Sequence, residues 1–275
     1  MLAKPTSNRI IKPGGGFAKK SEYESYTSLS LFRECPVAYY DHYAKHKKEP
    51  MSKELVFGRA WHGLCEDALR EKEWHTRDMS LRELLGRWHY RWIYELEAAR
   101  DRMEWDGAAS PEDFYKNGRR LVNTWRTTYL PRYEPLAIEE PFFIKVTGAK
   151  RAIMGKLDLI TTDGYVIDHK TSSRTWREQK LAGYVPQGRD LQMSIYHAAY
   201  SEMQGKMPRG VFLHRAIVGT ARIEEVDLTY TLEEVQSDID QIVRPNIKKI
   251  EECYETGSFK CTCGKHKDVV INASA

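Results

Sequence analysis

Two short apolar runs of this 275-residue chain carry charge where charge is least easily accommodated. Gly155-Lys156-Leu157-Asp158-Leu159-Ile160 and Tyr165-Val166-Ile167-Asp168-His169-Lys170-Thr171 are rich in β-branched and aromatic residues with rough alternation, so both read as strands. An unpaired carboxylate inside such a strand is costly. The turn between them decides which way the acids face. With Asp163-Gly164 as a two-residue loop, Asp158 points away from Asp168. With Thr162-Asp163-Gly164 as a three-residue loop and Gly164 in the left-handed conformation, Asp158 lies directly opposite Asp168. Lys170, two residues on, then shares that face. Directly opposed residues hold their Cβ atoms about 4.5 to 5.5 Å apart, where like charges repel unless a cation lies between them. A divalent metal supplies that cation, and carboxylate oxygens suit Mg²⁺ or Mn²⁺. The other reading of the same pair is a sheet edge with solvated acids and a Lys salt bridge, which leaves no metal site.

The rest of the chain sets the hairpin in an α/β or α+β layer protein. Residues 28–46, 53–75, 80–105 and about 110–129 read as helices from apolar spacing of three and four. Ser110-Pro111-Glu112-Asp113 is a strong start signal for the last of these. Residues 136–144 read as a further strand, 190–203 as a helix, 210–218 and 221–228 as a hairpin, and 231–254 as a closing helix. The expected organisation is a basic arm over 1–24, a single domain over 25–265 and a tail over 266–275. Within the domain, 25–132 is mainly helical, and 133–265 carries the sheet and closing helices. Lys plus Arg at 43 against Asp plus Glu at 39 is a mild excess, so a groove for a polyanion has to come from arrangement and not from total charge. No apolar run approaches the ~18 residues that span a bilayer, and no membrane association is expected. Five cysteines and no secretory h-region point to a reducing cytoplasm.

Four further patterns stand in order along the chain. Gly58 to His62 forms G-x-x-x-H, Gly155 to Asp158 forms G-x-x-D, Asp168 to Lys170 forms D-x-K, and Gln192 to Tyr196 forms Q-x-x-x-Y. In this order they resemble the RecB-like branch of the PD-(D/E)-x-K nuclease superfamily, and residues 28–36 resemble that family's opening helix with its Cys-Pro. The resemblance implies a restriction-endonuclease-like core, a central mixed sheet flanked by helices with a helical N-terminal part. It also implies a metal-dependent DNA nuclease. Asp158, Asp168 and Lys170 would be catalytic. His62, Asp158, Asp168 and the backbone carbonyl of His169 would hold the metal, and Gln192 and Tyr196 would position the scissile strand. Glu66 and Glu139 are second-rank candidates for outer or second-metal roles. The side chains of His169 and His197 read as packing, and so do Trp88 and Trp92, although the aromatic helix with Tyr90 and Tyr94 offers a stacking surface for single-stranded bases.

The cysteines form a separate question. Some relatives with this motif order hold an iron–sulfur cluster through one Cys before the His motif and three near the C-terminus, positions filled here by Cys35, Cys253, Cys261 and Cys263. The Cys261-Thr262-Cys263 spacing followed by His266 departs from that family's pattern. A zinc site of Cys253, Cys261, Cys263 and His266 fits by ligand type, and reduced, unliganded thiols are the expectation. The leading function is an exonuclease of recombination, repair or phage replication, with DNA as substrate and a single-strand-binding, helicase or recombinase protein as partner. A structure- or sequence-specific endonuclease and an inactive DNA-binding module are the alternatives.

Overall fold

The fold is described from a computed structural model in which residues 22–46, 50–103, 110–181 and 189–270 are placed. The expected basic arm, up to residue 21, and the last five residues of the expected tail lie outside the described residues. The described residues divide into two compact units, one drawn from within 1–47, 141–156 and 233–275, the other from within 48–140 and 157–232.

In the first unit, β1 (Tyr23–Glu24) pairs in parallel with the start of β3 (Ala152–Thr161). Two helices follow, α1 (Tyr26–Glu34) and α2 (Pro36–Tyr43), where a single helix is expected from apolar spacing. The break is at Cys35, which is extended at φ −160. Pro36 causes it, because a proline excludes the helical conformation from the residue before it while being well suited to the first position of the next helix. The buried carboxylate of Glu24 is held by Arg151 Nη1 at 2.7 Å, the Tyr39 hydroxyl at 2.7 Å and Ser28 Oγ at 2.6 Å, so a charge that would be costly alone is fully partnered. The closing helix begins as α8 (Leu232–Asp238), widens to a π-turn over Ile239–Val243 and continues as α9 (Arg244–Thr256). Pro245 accounts for the change, since it cannot donate the usual helical hydrogen bond. A short hairpin, β7 (Ser258–Phe259) with β8 (Val269–Val270), lies beyond the expected elements.

Gly155, in β3, lies under the buried ring of Phe142, and a Cβ there would come within 2.6 Å of that ring. Gly155→Ala is therefore expected to lower stability by about 1–3 kcal/mol, the usual cost of overpacking. The denaturation midpoint reads this directly; an unchanged midpoint would mean that the Phe142 ring can move aside.

The second unit packs α3 (Lys53–His75), α4 (Leu81–Ala99) and α5 (Pro111–Thr128) around an aromatic core. Phe57, Trp61, Trp88 and Trp125 meet edge to face at centroid distances of 5.2 to 6.5 Å. Ser52, Ser80 and Ser110 each accept a backbone N–H of the first turn, which is why these helices start where they do. The end of β3 runs antiparallel to β4 (Tyr165–Ser172), β4 is parallel to β5 (Gly210–Ile217), and β5 is antiparallel to β6 (Arg222–Asp227). The link from β4 to β5 holds α6 (Trp176–Leu181), not expected from the sequence, and α7 (Leu191–Gln204). Such a link is required because parallel strands cannot be joined by a tight turn. With β2 (Pro135–Lys145) also on β3, the described strands other than β7 and β8 form one mixed sheet in the order β1-β3-β4-β5-β6. This is the central mixed sheet flanked by helices that the resemblance implies.

Candidate active site

The hairpin takes the register that places both acids together. Leu159 pairs with Ile167 and Ile160 with Val166, around the three-residue loop 162–164 with Gly164 at φ +90. The Thr161 side chain ties this loop by accepting the N–H of Tyr165 at 2.9 Å. One step further the ladder is replaced by a side chain: Asp158 Oδ2 accepts the N–H of His169 at 2.8 Å. Helix α3 comes close to β4 at Gly58, where a Cβ would stand 3.0 Å from Thr171 Oγ1. One turn later His62 reaches the acids. Its Nε2 lies 2.7 Å from Asp158 Oδ2, and its Nδ1 lies 3.4 Å from Glu139 Oε1. Glu139 sits inside β2 with φ +52, a left-handed residue in an extended strand, which re-aims its side chain as a bulge does. Ligand atoms of His62, Glu139 and Asp158 all lie within 4.8 Å of one another.

Asp168 is fully buried. Its Oδ1 accepts from Lys170 Nζ at 3.1 Å and, at a long 3.5 Å, from Gln192 Nε2. Its Oδ2 is buried without a hydrogen-bond partner among the described residues. Gln192 Nε2 also donates to the Tyr196 hydroxyl at 2.8 Å. Both stand on α7, whose first turn is capped by Asp190 through the N–H groups of Gln192 and Met193. An Asp two residues before Gln192 is the usual sequence signal for such a cap.

The electrostatics follow from the crowding. Burial, reinforced by the Asp158 charge, raises Asp168 to about 6 even though Lys170 opposes it. Burial alone would also raise Asp158, but the hydrogen bond and charge of His62, with Lys170, bring it to about 2. Burial works against a charged His62, yet Asp158, then Glu139 and Asp168, carry it up to about 9. Lys170 is likewise raised, since Asp168 and Asp158 outweigh its desolvation. The protonated His62 and Lys170 therefore supply positive charge beside the facing acids.

Other residues stand apart from this group. Glu66 pairs with Arg70 on its own helix at 2.9 Å and is not among the converging ligand atoms, whereas Glu139 is. The side chain of His169 is buried between the rings of Trp125 and His214, with neither nitrogen hydrogen-bonded among the described residues. Burial, then the neighbouring His214, lowers it to about 3, so it is neutral. His197 holds the Met193 carbonyl at 2.7 Å and accepts the Tyr230 N–H at 3.0 Å, a structural arrangement. Trp88 and Trp92 are core, while Tyr90 and Tyr94 stack on each other at the surface. In the first unit, Cys35, Cys261, Cys263 and His266 gather, and Cys253, on α9, is not among their converging atoms.

A family model described as PD-(D/E)XK nuclease superfamily matches residues 24–264. Among solved structures, the chain is similar to a crystal structure from Eubacterium rectale named Putative exonuclease, with a TM-score of 0.54 and 12% identity over 86% of this chain and 88% of that one. A second, of the protein called SSO0001, aligns at a TM-score of 0.32 and 17% identity over 82% of this chain and 86% of that one. No curated protein matches the chain.

Proposed function

This chain belongs to the PD-(D/E)XK nuclease superfamily, and from that premise we propose that it is a divalent-metal-dependent deoxyribonuclease of the RecB-like branch that works from DNA ends. The observation that carries the reading is the meeting of His62, Glu139 and Asp158 beside a fully buried Asp168 paired with Lys170. A metal fits these residues. A buried carboxylate oxygen without a hydrogen-bond partner, as Asp168 Oδ2 is among the described residues, is costly unless a cation faces it. One imidazole nitrogen among carboxylate oxygens suits Mn²⁺ as well as Mg²⁺.

His62, Asp158, Asp168 and the carbonyl of His169 would hold the ion, and Glu139, 3.4 Å from His62 Nδ1, would join them. When bound, a divalent ion lowers the pKa of water and polarises the phosphate. Lys170, whose pKa is raised, is charged across the neutral range. That favours orienting the water and neutralising the developing phosphate charge over acting as a base. Gln192 would contact the scissile strand. Tyr196, buried and bonded to Gln192, is a positioning residue for it. Recombination, repair or phage replication is the setting proposed, with a single-strand-binding, helicase or recombinase partner in the cytoplasm. No helix among the described residues is long and apolar enough to cross a membrane. The Eubacterium rectale neighbour is described as a Putative exonuclease, which supports the choice of an exonuclease.

The test is end-labelled linear DNA against closed circles, single- and double-stranded, with Mg²⁺ or Mn²⁺ and an EDTA control. Linear molecules are expected to be degraded and circles to survive. Cleavage of closed circles would replace this reading with an endonuclease, and cleavage in EDTA would remove the metal.

A further inference from the structure

Three thiols and an imidazole meet in the first unit, one thiol 226 positions from the nearest of the others. Cys35 lies at the junction of α1 and α2, while Cys261, Cys263 and His266 lie in the loop between β7 and β8. We propose that Cys35, Cys261, Cys263 and His266 form a structural Zn²⁺ site of the Cys₃His type. The inference is independent of the nuclease reading, because none of these residues belongs to the catalytic group.

The distances carry it. Cys35 Sγ stands 3.8 Å from Cys261 Sγ and 3.6 Å from His266 Nδ1. Cys261 Sγ stands 3.7 Å from Cys263 Sγ, and Cys263 Sγ 3.1 Å from His266 Nδ1. A tetrahedron with Zn–S of about 2.3 Å and Zn–N of about 2.0 Å has S···S edges of roughly 3.8 Å and S···N edges of roughly 3.5 Å. The sulfur edges agree to within about a tenth of an ångström and one nitrogen edge agrees as closely; the other is short. Four ligand atoms all within 4.8 Å of one another leave room for one ion. A cubane iron–sulfur cluster does not fit, since its irons and sulfides would stand between thiolates that are here nearly in contact, and its fourth cysteine, Cys253, is not in the group.

The surroundings suit bound thiolates. Against its burial, backbone N–H groups of Ala38, Thr262 and Cys263 lie where they favour the Cys35 thiolate, lowering its pKa to about 6. The loop is braced by the Cys261 N–H on Asp268 at 2.7 Å and by the Thr262 hydroxyl on the Glu34 carbonyl at 2.8 Å. Gly264 at φ +72 turns the chain back so that His266 can face Cys263. An ion here closes a loop of 226 residues between Cys35 and Cys261, a constraint that removes much freedom from the unfolded chain.

The experiment is elemental analysis of full-length protein purified without chelator, followed by exchange of the bound ion for Co²⁺. The expected result is one Zn²⁺ per chain in a colourless protein, and Co²⁺ spectra with sulfur-to-metal charge transfer, which the carboxylate site cannot produce. Cys261→Ser and His266→Ala are expected to lose the ion. Cys253→Ser, and a double variant with Asp158→Asn and Asp168→Asn, are expected to keep it. Because His266 is exposed, its variant remains informative even if the cysteine variants fold poorly, and the wild-type Co²⁺ spectrum needs no variant. Stoichiometric iron with sulfide would overturn the proposal. So would wild-type protein that retains no zinc and gives no thiolate–Co²⁺ band, or loss of the ion in Cys253→Ser.

Discussion

Asp168→Asn and Lys170→Ala are each expected to reduce cleavage at least about a hundredfold, the scale of losing one preorganised charge in a transition state, yet to differ in their effect on metal. Asp168→Asn replaces a fully buried carboxylate whose Oδ2 has no hydrogen-bond partner among the described residues, so Mn²⁺ binding should weaken markedly. Lys170→Ala removes a cation 3.1 Å from Asp168 and should leave Mn²⁺ binding intact or tighter. The metal-free Asp168→Asn protein should be no less stable than the parent. The substitution relieves the repulsion with Asp158, and the half-exposed Lys170 ammonium can still reach water. Titration calorimetry with Mn²⁺, single-turnover cleavage and a melting curve separate these effects. If Lys170→Ala cleaves normally and Asp168→Asn binds Mn²⁺ in full, the strand carboxylates are structural.

Metal affinity is expected to climb with pH well past neutrality. Burial would lower His62, but Asp158, Glu139 and Asp168 hold it near 9, and a ligating imidazole has to give up its proton. Affinity for Mn²⁺ should therefore rise roughly tenfold per pH unit up to about 9, with about one proton released per ion. Below about 6, where burial and Asp158 keep Asp168 protonated, a second proton competes and the dependence steepens. The sign for the metal-free protein is the reverse. A histidine raised above its unfolded value contributes its full stability below about 6.5 and loses it as pH rises through about 9, so the metal-free protein should melt lower at high pH and be rescued by Mn²⁺. Calorimetry in two buffers of different ionisation enthalpy reads the proton release. Affinity that is flat between pH 6 and 9 would take His62 out of the ligand set.

What could be read from the sequence was local. The bounds of α3, the start of α5 at Pro111 and the hairpin register follow from signals that act within a few residues: a serine cap, a first-turn proline, and a glycine able to take positive φ. Cys35-Pro36 carried a break of the same kind that apolar spacing concealed. The short α6, β1, β7 and β8 were not legible, because two to six residues are too few to show a period.

The sequence by itself determined the chemistry on offer: two acids and a lysine that one loop length puts on one face of a hairpin, and histidine, glutamine and tyrosine at helical spacing. Only the tertiary structure decided which of these meet. It selects Glu139 over Glu66, through a left-handed residue in β2 that no pattern announces, and Cys35 with His266 over Cys253, across 226 positions of chain. The physical reason is range. Caps, turns and periodicity are interactions among near neighbours and can be read in order, whereas a ligand set is closed by the packing of elements distant in sequence, whose partners are settled by burial and pairing of the whole chain.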